Sequence, residues 1–352
     1  MGDARHRASA GLLQLRRIIR KAAADMHRGT RRARLTSLMG IRMNVSQRVI
    51  AISLLSISIM ATNGALGSER GALPFDVGST GDFVVEFPPI PGLFLVNQTS
   101  YTSISGLNGD NGKAVTGSDF TGSAVANTNR LLYSWLGDYG NFHIYSQLVV
   151  PVVTGSTTLK FYGATALAGG DTGFGNVVFS PLIVTYSFDK NNALVVAYDY
   201  ASSIGTYSST AAFNPATGYA SHQPIIGFRH NDKDGFYVGI VGRGIFNETN
   251  PDTQYHSGSA IEADFRTGWN FGKLSVGLVG GYYHQYQADS GLGSLNGKTQ
   301  LLNIGPAISY DFGPLILGVN IQTAAYAANT SKGTTAWLNL ALPLWVPPPP
   351  AR

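Results

Sequence analysis

Hydrophobic and polar residues alternate along most of the chain after Leu93. Successive side chains of a β-strand point to opposite faces, so this pattern predicts strands with one apolar and one polar face. In the clearest run, Ile261–Phe271, the polar positions include Glu262, Asp264 and Arg266. The pattern predicts twelve strands, over residues 93–105, 122–136, 141–155, 174–187, 193–202, 221–230, 235–247, 257–271, 274–287, 299–312, 314–327 and 334–345.

The links between the predicted strands alternate between long and short. The short links are 137–140, 188–192, 231–234, 272–273 and 313. The long links are 106–121, 156–173, 203–220, 248–256, 288–298 and 328–333. Outer-membrane barrels have tight periplasmic turns and long external loops, whereas a soluble Greek-key sandwich has no reason to alternate.

The fold class predicted is therefore all-β: a transmembrane antiparallel up-and-down β-barrel of about twelve strands, of the bacterial outer-membrane type. An even strand number puts both termini on one side, which the short links mark as periplasmic. Aromatic residues suited to the membrane interface lie near strand ends: Trp135, Tyr186, Tyr198, Trp269, Tyr282, Tyr310 and Trp345.

The first 65 residues have the character of a targeting segment. Residues 43–65 hold a short basic region, the apolar run Val49–Ala61 and small residues near a cleavage position at Ala65 or Gly67, which predicts a signal peptide. The run is too short to span a membrane as a helix. Residues 1–42 are a basic extension, explained by a start codon assigned too far upstream or by a true amphipathic arm.

Two further segments flank the predicted barrel of residues 93–345. Residues 66–92 contain Pro74, Pro88, Pro89 and Pro91, and they form an extension that lies in the periplasm or folds into the lumen. The tail 346–352 has four consecutive prolines and cannot extend the last strand.

The positive charge of the chain belongs to the segment expected to be removed. Of 25 basic and 20 acidic residues, 12 and 2 precede the cleavage position, so the remainder carries 13 − 18 = −5. This excludes nucleic-acid binding as a function of the mature chain. The chain has no cysteine, which excludes disulfides and thiolate metal sites.

Short motifs in residues 93–345 resemble a known family. They are Asn247-x-x-Asn250-x-x-Thr253-x-Tyr255-x-Ser257-Gly258, Trp269-Asn270-Phe271, Gly280-Gly281-Tyr282-Tyr283, Ile304-Gly305-Pro306 and Tyr310-Asp311-Phe312. The chain resembles the outer-membrane barrel family associated with the meta-pathway of phenol degradation. Gly173-Phe174-Gly175-Asn176 stands where that family has Gly-Leu-Gly-Asp. The resemblance implies a barrel with a role in the uptake of hydrophobic, including aromatic, compounds.

The sequence predicts neither a catalytic site nor a metal or cofactor site. No histidine lies in a pair with the spacing of metal ligands. Neither His143 with Ser146 nor His256 with Ser257 forms a dyad, because each pair points to opposite faces of a strand.

The inner faces of the predicted strands carry a charged set of mixed sign. Its members are Arg130, Asp199, Arg229, Arg243, Glu262, Asp264 and Arg266. One interpretation is a structural ladder of ion pairs that stiffens the lumen, and the other is a polar constriction that selects what passes. Arg243 and Arg266 are the cations expected opposite Glu262 and Asp264.

The function predicted is an outer-membrane channel or transporter-like barrel, in contact with outer-membrane lipid and monomeric, that admits small hydrophobic or aromatic molecules. The alternative is a structural or surface-interaction barrel with a plugged lumen, and an outer-membrane lipid-modifying enzyme comes third. The sequence leaves open the permeant and whether the lumen is open.

Overall fold

The computed structural model describes residues 68–83, 86–294 and 296–348, with backbone only for Arg70 and Asp82, and this part is almost entirely β-structure. Residues 1–67, with the predicted signal peptide, lie outside it, as do residues 349–352 of the tail. The strands of the described part are β1 Gly92–Asn108, β2 Ser118–Ser134, β3 Phe142–Phe161, β4 Ala164–Phe174, β5 Val178–Ser187, β6 Asn192–Ala201, β7 Ser221–Asn231, β8 Phe236–Asn247, β9 Tyr255–His256, β10 Ala260–Phe271, β11 Leu274–Gln285, β12 Ser290–Gly291, β13 Gln300–Asp311, β14 Ile316–Ala328 and β15 Thr330–Trp345. Two short 3₁₀ helices, Glu69–Gly71 and Gly81–Phe83, precede them, and no helix in these residues is long and apolar enough to cross a membrane.

Twelve of these strands form a closed antiparallel ring. Each pairs with its neighbours along the chain, and the first and last close the ring through a register that runs from Leu93–Trp345 to Asn108–Thr330. The small strands β9 and β12 pair with each other outside the ring, and His256 of β9 also forms a bridge with Thr249. Closure leaves no open edge in the ring, which a strand protein in lipid requires because lipid offers backbone groups no hydrogen-bond partner.

The prediction of a long loop over residues 156–173 is wrong. Strand β3 continues to Phe161, turns at Tyr162 and Gly163, and returns as β4. Both turn residues have positive φ, at 48° and 83°, as a tight hairpin needs. In this hairpin the apolar Leu159 and Phe161 face inward, whereas Thr158 and Lys160 face outward. The apolar outer face that marks the other strands is therefore absent here.

The loop predicted over residues 328–333 is also absent. A single residue, Asn329 with φ 53°, connects β14 to β15. The two strands pair with each other only as far as Thr323–Thr334, and beyond this point β14 stays paired with β13 and β15 with β1. The diverging strand ends therefore occupy the positions that the sequence assigned to a loop.

The predicted faces are confirmed by the burial of β10. Ile261 and Trp269 are 50% and 49% exposed on the outer surface, whereas Glu262 and Asp264 are 2% and 0% exposed on the inner one. Exposed apolar residues continue around the barrel, among them Val276, Leu278, Ile308, Leu338 and Leu344. The outer surface is therefore a lipid-facing belt, and the chain is a transmembrane barrel.

The segment before the first strand lies inside the barrel. Residues 68–83 and 86–91, hereafter the plug, run from the long-loop end, where Ser68 contacts Gln285, to the short-turn end, where Gly92 begins β1. The sequence left two placements open for this segment, the periplasm and the lumen. In the structure it lies in the lumen. The first and last barrel strands do begin and end at the same end of the barrel, at Gly92 and Trp345. The plug, however, runs back through the lumen, so Ser68 lies at the opposite end from Trp345.

We predict that Phe265→Arg weakens folding into bilayers by about 2–4 kcal/mol, because it places an unpaired charge near the middle of the apolar belt. The Phe265 ring lies on the outer surface beside Gly280, halfway along β10. Denaturant titrations of barrels folded into lipid vesicles measure the effect. Phe271→Arg at the end of the same strand is the control, with a loss of about 0–1 kcal/mol expected near the interface. Equal losses in the two variants would contradict the assigned depth.

Candidate functional site

The carboxylate of Asp264 holds a turn of the plug. Asp264 Oδ1 accepts a hydrogen bond from the backbone N–H of Gly78 at 2.8 Å, and Oδ2 accepts one from the N–H of Thr80 at 3.0 Å. The Thr80 hydroxyl donates to Oδ2 as well. Hydrogen bonds to a charged acceptor are the stronger kind, so this side chain is a strong contact between the wall and the middle of the plug.

Three wall amides bind the other side of the same turn, residues 77–80. Asn303 Nδ2 donates to the carbonyl of Val77 at 3.1 Å and Gln322 Nε2 to that of Gly78 at 3.0 Å. Gln98 Nε2 donates to the carbonyl of Ser79 at 2.6 Å. The turn has no sheet partners of its own, so these side chains supply the partners that buried backbone groups require.

Two glycines make this close approach possible. Gly78 has φ +86°, a conformation that side chains disfavour, and a Cβ there would meet the amide of Gln322. On the wall, a Cβ at Gly281 would lie 2.4 Å from the nitrogen of Gly78 and 2.5 Å from Asp264 Oδ1. A side chain at Gly281 would therefore displace the turn from its carboxylate.

Glu86 fastens the plug at the short-turn end. Its carboxylate forms an ion pair with Arg266, accepts from Asn231 Nδ2 at 2.9 Å, and lies 3.9 Å from Arg229 Nη1. Next to it, the hydroxyl of Tyr145 donates to the carbonyl of Pro88 at 3.0 Å. The expectation that Arg266 compensates Asp264 is therefore wrong: Arg266 pairs with the plug, and backbone donors of the plug satisfy Asp264.

Glu69 fastens the plug at the long-loop end. Its backbone N–H donates to Ser257 Oγ at 3.0 Å, and its carboxylate accepts from Asn250 Nδ2 at 2.7 Å and from the Tyr207 hydroxyl at 3.2 Å. Asn250 and Ser257 belong to the family motif, which here acts as an anchor. Its Tyr255 donates to a buried carboxylate, Asp289, at 2.7 Å. Burial raises the pKa of Tyr255, so the hydroxyl remains protonated and can donate.

Arg243 and Glu262 form the ion pair of the inner wall. Arg243 Nε lies 2.8 Å from Glu262 Oε2, because these residues are opposite each other on β8 and β10. Arg243 is one of the two cations that the sequence placed near Glu262 and Asp264. The guanidinium also covers the ring of Phe75 in the plug, 4.6 Å from its centroid. The pair thus joins two wall strands and supports the plug.

The structure places all seven predicted lumen residues on the inner side of the wall, and six of them have a partner. Arg243 and Glu262 pair with each other, Arg229 and Arg266 approach Glu86, Asp264 binds the plug turn, and Asp199 accepts from Ser180. Arg130 differs from the others: among the described residues its guanidinium has no recorded hydrogen bond or ion pair, and its Nε is sealed from solvent. Sequence reasoning missed Glu86 and Glu69, because the plug has no periodic pattern that would show which of its residues face the wall.

Beside the plug lies a chamber of about 910 Å³. Its wall is mainly the inner side of β1 to β4 and β15, together with the folded-in loop around Phe213, the plug and inward-facing residues of β6, β7, β8 and β13. Toward the long-loop end the lining is apolar, with Leu107, Leu159 and Phe161 forming a buried cluster. Deeper in the barrel the lining is polar: Gln98, Thr128, Arg130, Gln147, Asp199, Gln223 and Arg243.

The short-turn end of the lumen is closed by side chains. Phe94, Leu132, Tyr145, Ile183, Val195, Ile225 and Val241 form one buried apolar cluster, against which Phe87 of the plug packs. The chamber therefore does not continue straight through the barrel, and Arg130, two residues before Leu132 on β2, stands just above this seal.

The barrel wall is interrupted beside the chamber. Strand β4 pairs with the upper part of β3 and β5 with the lower part, so the other edge of β4 has no strand neighbour. Between them, Asn176 donates to the carbonyls of Ser202 and Tyr219 at 2.8 and 3.1 Å and accepts from the N–H of Thr217 at 2.9 Å. A carboxylate could not donate in this way, so the asparagine that departs from the family motif ties this kink to the following loop.

The described residues contain no group of three His, Asp or Glu side chains placed to hold a metal ion. The two serines considered above are engaged elsewhere. Ser146 Oγ donates to the carbonyl of Pro181 at 2.6 Å, and Ser257 anchors the plug.

We predict that Arg243→Ala lowers the stability of the barrel by about 3–5 kcal/mol, because it leaves Glu262 buried without its cation. Urea unfolding of the purified barrel in detergent measures the change. The double variant Arg243→Met with Glu262→Leu is the control and should regain most of the loss, since it removes both charges. A single variant that is as stable as the wild type but passes a small aromatic probe faster would instead support the constriction.

Comparison with solved structures shows the fold. An outer membrane channel from Pseudomonas putida F1 is 16% identical, with a TM-score of 0.65 over 74% of this chain and 98% of that one. Two toluene transporters, TbuX from Ralstonia pickettii and TodX from Pseudomonas putida, are 10% identical and superpose more weakly, with TM-scores of 0.36 and 0.37 over 81% of this chain and 97% of theirs. A comparison with curated proteins finds no match.

A family profile covers the barrel. It carries the description "Putative MetA-pathway of phenol degradation" and matches residues 105–340, from the upper half of β1 to the last strand. The match spans well over half of the chain and includes the anchor residues Asn250 and Ser257, the kink at Asn176 and the carboxylate of Asp264. The chain belongs to this family of the MetA-pathway of phenol degradation.

Proposed function

We propose that this barrel is an outer-membrane channel through which small hydrophobic, including aromatic, compounds enter. The chamber is the observation that carries the proposal. Its volume of about 910 Å³ is within the range of small-molecule sites, and apolar residues line it where it approaches the long loops. A purely structural barrel would have no need of an apolar cavity on the inner side of its wall.

The route by which the permeant leaves the chamber follows from which parts of the barrel are closed. The apolar cluster and the plug seal the short-turn end, whereas the edge of β4 beside the chamber has no strand partner. In our proposal a hydrophobic molecule leaves the chamber sideways, past the unpaired edge of β4 and the loop around Phe213. This route avoids the polar plug, in which an apolar solute would displace hydrogen-bonded groups at a cost in free energy.

The orientation of the barrel is part of the proposal. The tight turns, such as Gly272–Lys273, face the periplasm and the long loops face outward, as is usual for bacterial outer-membrane barrels. Export to this membrane requires a signal peptide, for which residues 43–65 remain the proposed segment. The barrel closes on itself through β1 and β15, and we propose that it acts as a monomer.

The second candidate is a structural barrel with a plugged lumen. The plug favours it, because residues 68–83 and 86–91 are fastened at both ends and at the centre. The chamber separates the two candidates, since only a channel requires that a solute occupy it. A catalytic role is not part of the proposal.

We predict that Ala126→Trp slows the influx of toluene into vesicles by about tenfold, which corresponds to about 1.4 kcal/mol on the barrier to entry. Ala126 lines the chamber on β2, and an indole there would fill the passage between its apolar and polar parts. Toluene uptake into vesicles that contain a known amount of folded barrel measures the rate.

The matched control is Val125→Trp. Val125 is the preceding residue on the same strand, but it is 40% exposed on the outer surface, so an indole there contacts lipid and should leave the rate unchanged. If vesicles with the wild-type barrel take up toluene no faster than empty vesicles, the channel proposal is wrong and the structural candidate is favoured. Equal slowing by both substitutions would place the passage elsewhere.

A further inference from the structure

Arg130 is the cation of the lumen that the wall and the plug leave without a partner. It lies on β2, directly opposite Val96 on β1 and Val149 on β3, and its side chain lines the floor of the chamber. Its Nε is sealed and has no hydrogen bond, and no ion pair of its guanidinium occurs in the described part of the chain.

The nearby charges act on Arg130 only from a distance. Arg243 repels it, whereas Asp199 and Asp264 favour its charge. Neither carboxylate forms an ion pair or a hydrogen bond with its guanidinium in the described part of the chain, because Asp264 is hydrogen-bonded to the plug turn and Asp199 to the hydroxyl of Ser180. A guanidinium in a low-dielectric lumen is costly unless an anion or acceptor binds it, and its planar donors match the two oxygens of a carboxylate.

The surroundings of Arg130 define what such an anion would carry. Thr128 and Gln147 lie beside it, and farther up the chamber Val153 and Trp337 form an apolar wall at the level of Ala126. A ligand whose acidic group rests on the floor would therefore place its body against hydrocarbon and an indole ring.

We propose that the chamber binds small aromatic monocarboxylates, with the carboxylate on the guanidinium of Arg130 and the ring against the apolar wall above it. The proposal rests on the proposed function, because the ligand must first enter the chamber. It goes further because it assigns a ligand class and a specificity-determining residue. Neutral hydrophobic molecules use the same space, and Arg130 gives the acids a higher affinity than neutral molecules of the same shape.

The wild-type barrel provides the first test. Benzoate and benzamide have nearly the same shape, and only benzoate carries the charge. Titration calorimetry of the detergent-solubilised full barrel should give a dissociation constant for benzoate about tenfold to a hundredfold lower than for benzamide, the range expected of a charge-assisted pair. Benzamide that binds as well as benzoate overturns the proposal without any variant.

Variants then assign the effect to Arg130. Arg130→Gln should abolish the preference for benzoate over benzamide, and Arg130→Lys should keep part of it because the charge remains but the two-pronged geometry is lost. Lys332→Gln is the matched control. It removes one positive charge from an exposed position on the wall at the rim of the same chamber, and it should leave the preference intact.

Toluene separates this proposal from the proposed function. If toluene binds and crosses while benzoate shows no preference, or if Arg130→Gln keeps the preference, the carboxylate site is overturned and the channel stands. If neither toluene nor benzoate enters the wild-type barrel, the channel itself fails. Chloride or phosphate that binds Arg130 as tightly as benzoate would show an unspecific anion site and would also overturn the proposal.

Discussion

The hydrogen bonds from Gly78 and Thr80 to the carboxylate of Asp264 determine how the interior of this barrel is divided. Asp264 is fully buried on a transmembrane strand, where an ionised carboxylate without partners would be unfavourable. The plug turn supplies backbone and hydroxyl donors, and three wall amides supply the donors for its carbonyls. The buried polar groups of the wall and those of the plug are thus each other's hydrogen-bond partners, and either set alone would lack them.

The position of the plug creates the chamber. Because the plug turn is hydrogen-bonded to β10, β13 and β14 and, through Gln98, to β1, the plug lies along that side of the lumen, and the space beside β2 to β4 stays open. The two sides differ in chemistry for the same reason. Amides and charges concentrate where backbone needs partners, and apolar residues such as Leu159 and Phe161 line the space where it does not.

The sequence predicted the barrel because a wall between lipid and a polar interior imposes alternation on every strand that crosses it. It failed for residues 156–173, because the β3–β4 hairpin continues as paired strands without an apolar outer face. It also identified the inner-facing charges, and it named Arg243, on the preceding strand, as one of two cations near Glu262 and Asp264. It could not find the partners of Asp264 and Arg266, because these belong to the plug, whose turn and 3₁₀ helices carry no periodic signal.

The central claim is that the plug is fixed in the lumen by Asp264, and hydrogen exchange followed by mass spectrometry tests it most directly. The amides of Gly78, Ser79, Thr80 and Gly81 are all hydrogen-bonded, so peptides covering residues 76–83 should exchange slowly in the wild-type barrel. In Asp264→Ala the same peptides should exchange much faster, while the strand amides of β8 remain protected. Rapid exchange of residues 76–83 in the wild type, or unchanged exchange in the variant, would contradict the account.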